Sequence, residues 1–320
     1  MTKRFTCFIV ALLVLMMACG GYAAAPNVAD IRIVFVPNGA GSFWSIVAGG
    51  FEQAAKDNGI AYDVIWPDQE EASRQVAAME DAINTNPSAI VNSPMAADAM
   101  VPVYQKAMAA GIPVVSVDQI ISTDDYISSY KTDNRAAGEA AATALAELIG
   151  GKGTVKVFCG SLSSSSNADR VSGFSRVMRY DYPEITVLGV DFSGSDSNIA
   201  MTQTIDTITR DPDLAGIFAI DETRTSACGS ALISIGREDI ALVGFDANDD
   251  TVALMDQGIV NALVVQQPFQ MGYLAFEAAL RVVMGEEEPH GVRDTGCTVV
   301  TSENMNEEDM QKLLFPLKYL

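Results

Sequence analysis

The chain has 320 residues, 49% hydrophobic and 19% charged, with a formal net charge of −21. That length exceeds one small core and asks for two domains, and the apolar fraction describes packed globular lobes, not a disordered chain. The acidity, with no cluster of Lys and Arg, argues against a nucleic-acid partner, which would need such clusters to neutralise phosphates, and it favours a soluble monomer.

The first 25 residues stand apart. Lys3 and Arg4 precede an apolar run over 8–17 and then small residues, the pattern of a secretory signal peptide spanning 1–25. The run is too short and wrongly flanked for a durable membrane span. Cleavage is expected at Ala23 or Ala24, because cutting after Ala25 would leave Pro26 at the new terminus. The stretch Met16-Met-Ala-Cys19-Gly20 also resembles a lipobox, in which Cys19 would be lipidated. The expected location is therefore the periplasm or, with a lipid anchor, the cell surface. Beyond this segment lie Cys159, Cys228 and Cys297, an odd number in apolar or small-residue settings. They read as buried thiols and not as a disulfide framework.

Residues 31–37, Ile-Arg-Ile-Val-Phe-Val-Pro, form a β-branched and aromatic run that reads as a buried strand. Gly39, Gly41 and Ser42 make the following turn, with Ser42 placed to N-cap a helix that turns Ile46, Val47, Ala54 and Ala55 inward. Phe43 and Trp44 then stand beyond the carboxyl end of a strand, where open α/β sheets bind ligands. They either stack on a small ring or fill the core beneath the loop. Further strands are expected over 61–66, 89–92, 112–118 and 126–130, with helices over 69–83 and 96–110. The rhythm restarts with an alanine-rich helix over 134–149, broken by Gly150-Gly-Lys-Gly153. Strands over 154–158, 185–190, 216–220, 240–245, 262–265 and 298–300 alternate with helices over 169–178, 197–210, 223–235, 249–257 and 272–284, before a charged tail. Such alternation predicts an α/β protein of two doubly wound parallel-sheet lobes in tandem.

Most enzyme chemistries lack their residues here. His290 is the single histidine, in the acidic loop 286–291, so a Ser-His-Asp triad or a His-based metal site has little to work with. Gly160-Ser-Leu-Ser misses the nucleophile elbow, no phosphate-binding loop of the Walker type exists, and Gly39-Ala-Gly41 lacks a third glycine at dinucleotide spacing. No catalytic residue, metal site or cofactor is expected. Asp211, Asp213, Asp249 and Asp250 are placed near helix starts, where they complement the helix dipole. What recurs is a polar residue just past each strand: Asp118 and Gln119, Asp221 and Glu222, Asp246, and Gln266. Singly these are cap or turn residues. Facing one cleft, with Arg170 as the cation, they would form a ring of carboxylates and carboxamides able to pair sugar hydroxyls.

At this point the sequence resembles the periplasmic sugar-binding proteins of ABC transporters, in the ribose- and galactose-binding class. The resemblance rests on Ser42-Phe-Trp44, Ile112-Pro-Val-Val-Ser-Val-Asp118, Thr132-Asp-Asn134 with the following Ala-Ala-Gly-Glu, and Arg170-Val-Ser-Gly-Phe174, completed by Asp221-Glu222, Val243-Gly-Phe-Asp246 and Gln266-Gln-Pro. It covers roughly residues 31–304. It implies two Rossmann-like lobes joined by a three-crossing hinge, with crossings near 132–134, 265–267 and 291–295. The implied N-terminal lobe is 30–132 plus 266–292, and the C-terminal lobe 133–265 plus 293–320. It further implies that Phe43 and Trp44 sandwich a sugar ring, that Asp118, Asp221, Asp246 and Gln266 hydrogen-bond its hydroxyls, and that Phe192 adds a stacking surface.

Three positions depart from the ribose-binding pattern. Gly41 and Gln119 stand where that pattern has Asn and Arg, and Ala168 where it has a second Arg, although Asn167 and Arg170 are close by. Losing two cationic forks argues against ribose itself and points to another sugar, a polyol or a sugar-like signal such as the furanosyl autoinducer. The implied function is solute binding for an inner-membrane ABC permease, with docking to a chemotaxis receptor as a further partner. The alternatives are a nucleoside- or autoinducer-binding protein of the same fold and a carboxylate-only glycoside hydrolase using Asp118 and Asp246. A sugar-responsive repressor is rejected, since a signal peptide occupies the place of its DNA-binding helices.

Overall fold

The computed structural model describes residues 27–69 and 71–320, so the signal peptide and Cys19 lie outside the described residues. Two six-stranded sheets carry the fold. The first contains β1 (Arg32–Val36), β2 (Ala61–Val64), β3 (Ala89–Asn92), β4 (Val114–Val117), β5 (Ser128–Lys131) and β11 (Gly291–Asp294). The second contains β6 (Gly153–Cys159), β7 (Ile185–Phe192), β8 (Leu214–Ala219), β9 (Ala241–Phe245), β10 (Ala262–Gln266) and β12 (Cys297–Thr301). Their orders, β11-β5-β4-β3-β1-β2 and β12-β10-β9-β8-β6-β7, are the same winding used twice. All pairings are parallel except that of β12 with β10.

Among the described residues ten α-helices connect the strands: α1 (Ser42–Asn58), α2 (Ala72–Asn84), α3 (Val101–Ala109), α4 (Asn134–Leu148), α5 (Ser165–Tyr180), α6 (Ser197–Arg210), α7 (Glu222–Ile235), α8 (Asp249–Asp256), α9 (Pro268–Val283) and α10 (Glu308–Leu314). They cover both faces of each sheet, which is why central strands read as continuous apolar runs. In β1, Ile33 and Phe35 point to the core beneath α1 and α9, while Val34 and Val36 point to the core beneath α2 and α3. The chain passes between the sheets three times: from β5 into α4, from β10 into α9, and from β11 into β12.

Each lobe is closed by a helix pair that crosses on glycines. Gly50 of α1 meets the Phe269 carbonyl of α9, and Gly272 of α9 meets the Val47 carbonyl of α1. In the second lobe Gly138 of α4 meets the Arg170 carbonyl of α5, and Gly173 of α5 meets that of Arg135. Any Cβ at these four positions would overlap backbone, so the duplicated winding is matched by a duplicated close approach.

Several local expectations change. Gly41, not Ser42, is the N-cap of α1; its φ of 126° suits only glycine, and Ser42 is the first helical residue. The helix expected from 96 begins at Val101, after turns. α9 starts at Pro268, because proline at N1 gives up a donor that has no helical acceptor anyway. Asp211 closes α6 and Asp213 leads into β8, so neither starts a helix, whereas Asp249 and Asp250 do occupy the first turn of α8. β11 and α10 were not legible as elements: β11 is a half-exposed edge strand, and α10 is seven residues of the charged tail.

Candidate functional site

The site is built from residues that leave the fourth strand of each sheet. Asp118 follows β4 and Asp246 follows β9, and both take left-handed backbone conformations, with φ of 62° and 59°. Few side chains accept that region, Asp among them, and such strain concentrates where function requires it. The ladder is not lost at these turns: the Asp118 amide donates to the Tyr130 carbonyl at 2.8 Å and the Asp246 amide to that of Val264 at 2.9 Å.

Each aspartate holds a carboxamide. Gln119 Nε2 donates to Asp118 at 2.9 Å, and Gln266 donates to Asp246 through Nε2 at 2.8 Å and its backbone amide at 3.2 Å. Arg170 serves both aspartates electrostatically while bonding elsewhere. It is buried, and its Nε donates to Asn134 Oδ1 at 2.7 Å and its Nη1 to the Ile220 carbonyl at 2.9 Å. Its guanidinium carbon lies 3.6 Å from the Phe245 ring centroid. Burial pushes the carboxyls of Asp118 and Asp246 above their ordinary range, with Arg170 the strongest opposing influence on each. Burial likewise pulls Arg170 down against the attraction of Asp246, Asp118 and Asp221. Desolvation therefore outweighs pairing for all three groups. The carbonyl oxygen of Gln266 is buried and has no hydrogen-bond partner, in a side chain only 2% exposed.

Two contacts cross between lobes here. Ser42 Oγ donates to the Glu222 carboxylate at 3.1 Å, and Gln119 Nε2 lies 3.3 Å from Ser166 Oγ. Glu222 also accepts from Asn248 at 3.4 Å, and burial, reinforced by Asp246 and Asp221, pushes its carboxyl up despite the Ser42 bond. Sequence reasoning placed Glu222 beside the site without assigning it a role. Its signal was its place next to Asp221, after the third strand of the second sheet.

The other expected residues divide. Phe43 and Trp44 are partly buried on the first-lobe core, with ring centroids 5.0 Å apart and planes at 82°. The rings pack on the first-lobe core, as the core-filling reading expects, and keep part of their surface exposed. Asp221 caps α7 through the Arg224 amide at 2.9 Å and pairs with the Arg224 guanidinium at 3.1 Å. Arg224 in turn donates to Ser193 Oγ and the Gly194 carbonyl. Asn167 donates to the Ser161 carbonyl at 2.9 Å, holding the loop before α5. Phe192 ends the edge strand β7 and is 47% exposed. Cys159, Cys228 and Cys297 are free, their thiols pushed up by burial to about 11, 12 and 11. Among the described residues no group of His, Cys, Asp or Glu is arranged to hold a metal ion, and no helix is long and apolar enough to cross a membrane.

Two lobes of identical winding, crossed three times by the chain and presenting matched polar groups to one another, define a two-lobed solute-binding protein. The chain belongs to the periplasmic binding protein family, whose domain model matches residues 33–287. It is 29% identical over 245 residues to a ribose import binding protein of Bacillus subtilis, covering 77% of this chain and 79% of that one. It is 28% identical over 243 residues to a xylitol-binding protein of Mycolicibacterium smegmatis, covering 75% and 69%. A carbohydrate transporter solute-binding protein from Agrobacterium radiobacter, solved with D-arabinose, superposes with a TM-score of 0.82 at 28% identity, covering 90% of this chain and all of that one.

Proposed function

We propose that this protein binds a five-carbon sugar or polyol between its lobes and delivers it to an ABC permease on the inner membrane. The observation that carries this reading is a surplus of buried acceptors. Asp118 and Asp246 each have one carboxamide as hydrogen-bond donor, the Gln266 carbonyl oxygen has none, and Arg170 and, on Asp118, Lys131 act on the carboxylates through charge alone. A neutral ligand rich in hydroxyl donors satisfies such a set, and each pairing relieves a desolvated acceptor. The relatives named for ribose and xylitol and the neighbour solved with D-arabinose carry five-carbon names, while neighbours solved with D-tagatopyranose and D-fucose carry six-carbon ligands, so hexoses stand in the same test. Gln119, standing where the ribose pattern has Arg, favours a pentitol or a pentose other than ribose.

The residues proposed to touch ligand are Phe43, Trp44, Asp118, Gln119, Arg170, Asp246 and Gln266, with Asn167, Phe192 and Asp221 at the margin. Because the planes of Phe43 and Trp44 are perpendicular, a ring stacked on one meets the edge of the other. Lobe opening is proposed to turn about the three crossings. Residues 1–25 are proposed to direct the chain to the periplasm, by cleavage at Ala23 or Ala24 or, alternatively, by processing that leaves a lipidated Cys19 as the first residue. Binding without chemistry is the expected outcome. Calorimetry across pentoses, pentitols, hexoses and nucleosides, with recovery of the bound compound, tests it. Saturable binding of one five-carbon compound, recovered unchanged, is expected; preferential nucleoside binding or a hydrolysed glycoside would replace this reading.

A further inference from the structure

The segment after β12 reaches beyond its own lobe. α10 packs Met310, Leu313 and Leu314 on the second-lobe core. Leu313 and Leu314 also wall a small cavity together with Phe43 and Ile46 of the first lobe and Glu222 and Asp246 of the second. The chain then enters a 3-10 turn (Pro316–Tyr319) that crosses to α1, where Leu317 and Leu320 lie against Gly49. A Cβ on Gly49 would overlap Leu317 Cδ2, so the glycine leaves the notch that receives this side chain. Between the turn, the start of α1 at Ser42–Ile46 and the start of α8 at 247–250 lies a cavity of about 400 Å³.

We propose that residues 308–320 form a strap, a fourth tie between the lobes that is not a covalent crossing. Its first half completes the apolar wall beside Asp246, and its second half anchors that wall to the opposite lobe. Leu317 remains 43% exposed, so the anchor is held by a modest apolar contact and can release when the lobes part. The strap is a positioning element: it walls the small cavity beside Phe43 and Asp246 and biases the lobes toward closure. This inference rests on the proposed solute-binding reading only where ligand release is measured.

The test uses the full mature protein with residues 316–320 deleted and, separately, Leu317→Asp, which keeps α10 intact; Gly49→Val attacks the same contact from the other lobe. Small-angle scattering of the ligand-free proteins is expected to show a larger radius of gyration in all three than in wild type. Stopped-flow tryptophan fluorescence is expected to show release of the bound five-carbon compound accelerated about fivefold. Scattering curves identical to wild type for both the deletion and Leu317→Asp would overturn the strap. The scattering arm needs no ligand, so it decides the strap even where the panel of sugars fails to bind and the proposed function falls alone.

Discussion

Replacing Asp246 by Asn should stabilise the empty protein and weaken ligand binding, opposite effects from one carboxylate. Burial raises the Asp246 carboxyl above its ordinary range, against the influence of Arg170 and the two Gln266 donors. A raised folded-state pKa means the proton favours the folded form. That contribution is complete below the unfolded carboxylate range and is lost as pH rises through the folded value. At neutral pH the ionised side chain therefore burdens the empty fold, and Asn removes the charge at constant shape. Its amide would face Gln266 Nε2, but Gln266 can rotate to present the carbonyl oxygen that now has no partner. We expect a gain of about 1 kcal/mol at neutral pH, shrinking as pH falls to about 4. A charge-assisted hydrogen bond to a ligand hydroxyl is worth about 2 kcal/mol, so affinity should fall about 30-fold. Denaturant unfolding at both pH values and calorimetry with the identified ligand supply the two readouts. A variant that is less stable than wild type at neutral pH, or that binds with unchanged affinity, refutes the reasoning.

Trp44→Ala should cost on the order of 2 kcal/mol of binding from lost stacking area, read by calorimetry; wild-type affinity would move the ligand away from α1. Ser42→Ala removes the cross-lobe donor to Glu222. It should weaken binding about fivefold and raise the Glu222 carboxyl further, both visible in the pH dependence of affinity; an unchanged profile would show that the contact does not act in the bound state. Gly138→Val drives a side chain into the Arg170 carbonyl. It should destabilise the second lobe by about 3 kcal/mol in denaturant unfolding, and a neutral result would mean that the α4–α5 crossing yields.

The winding of both lobes was legible because parallel strands buried on both faces leave continuous apolar runs, as in Val114–Val117 and Ala241–Phe245. Asp118, Asp246 and Gln266 were legible for a related reason: a polar residue ending an apolar strand is conspicuous. The glycines Gly138 and Gly173 lay inside motifs that carried the resemblance, yet nothing local marked their role. Their role depends on two helices meeting, and no local pattern records which helices meet. Ser42 misled because its residue type suits a cap, while tertiary structure turned its hydroxyl to Glu222 in the other lobe. The strap was read as a charged tail because α10 shows its apolar face only through Met310, Leu313 and Leu314, too few positions to establish a period.

The departures from the ribose pattern acquire a common physical sense once the structure is in view. Gly41 holds φ at 126°, which an Asn could occupy only under strain, so the loop before Phe43 presents backbone and no side chain to the cleft. Gln119 bonds Asp118 and reaches Ser166 without bringing charge. Arg170 acts on both buried aspartates and Lys131 on Asp118, yet burial still raises both carboxyls. Adding an anion to that arrangement would place a further negative charge among desolvated carboxylates, whereas each hydroxyl proton donated by a neutral ligand reduces the imbalance. On the proposed site we therefore expect neutral sugars and polyols to bind more tightly than sugar acids or sugar phosphates in calorimetry, and equal affinity for a sugar and its acid would refute this reasoning. An open-chain polyol reduces the imbalance more completely than a ring, whose ether oxygen can only accept.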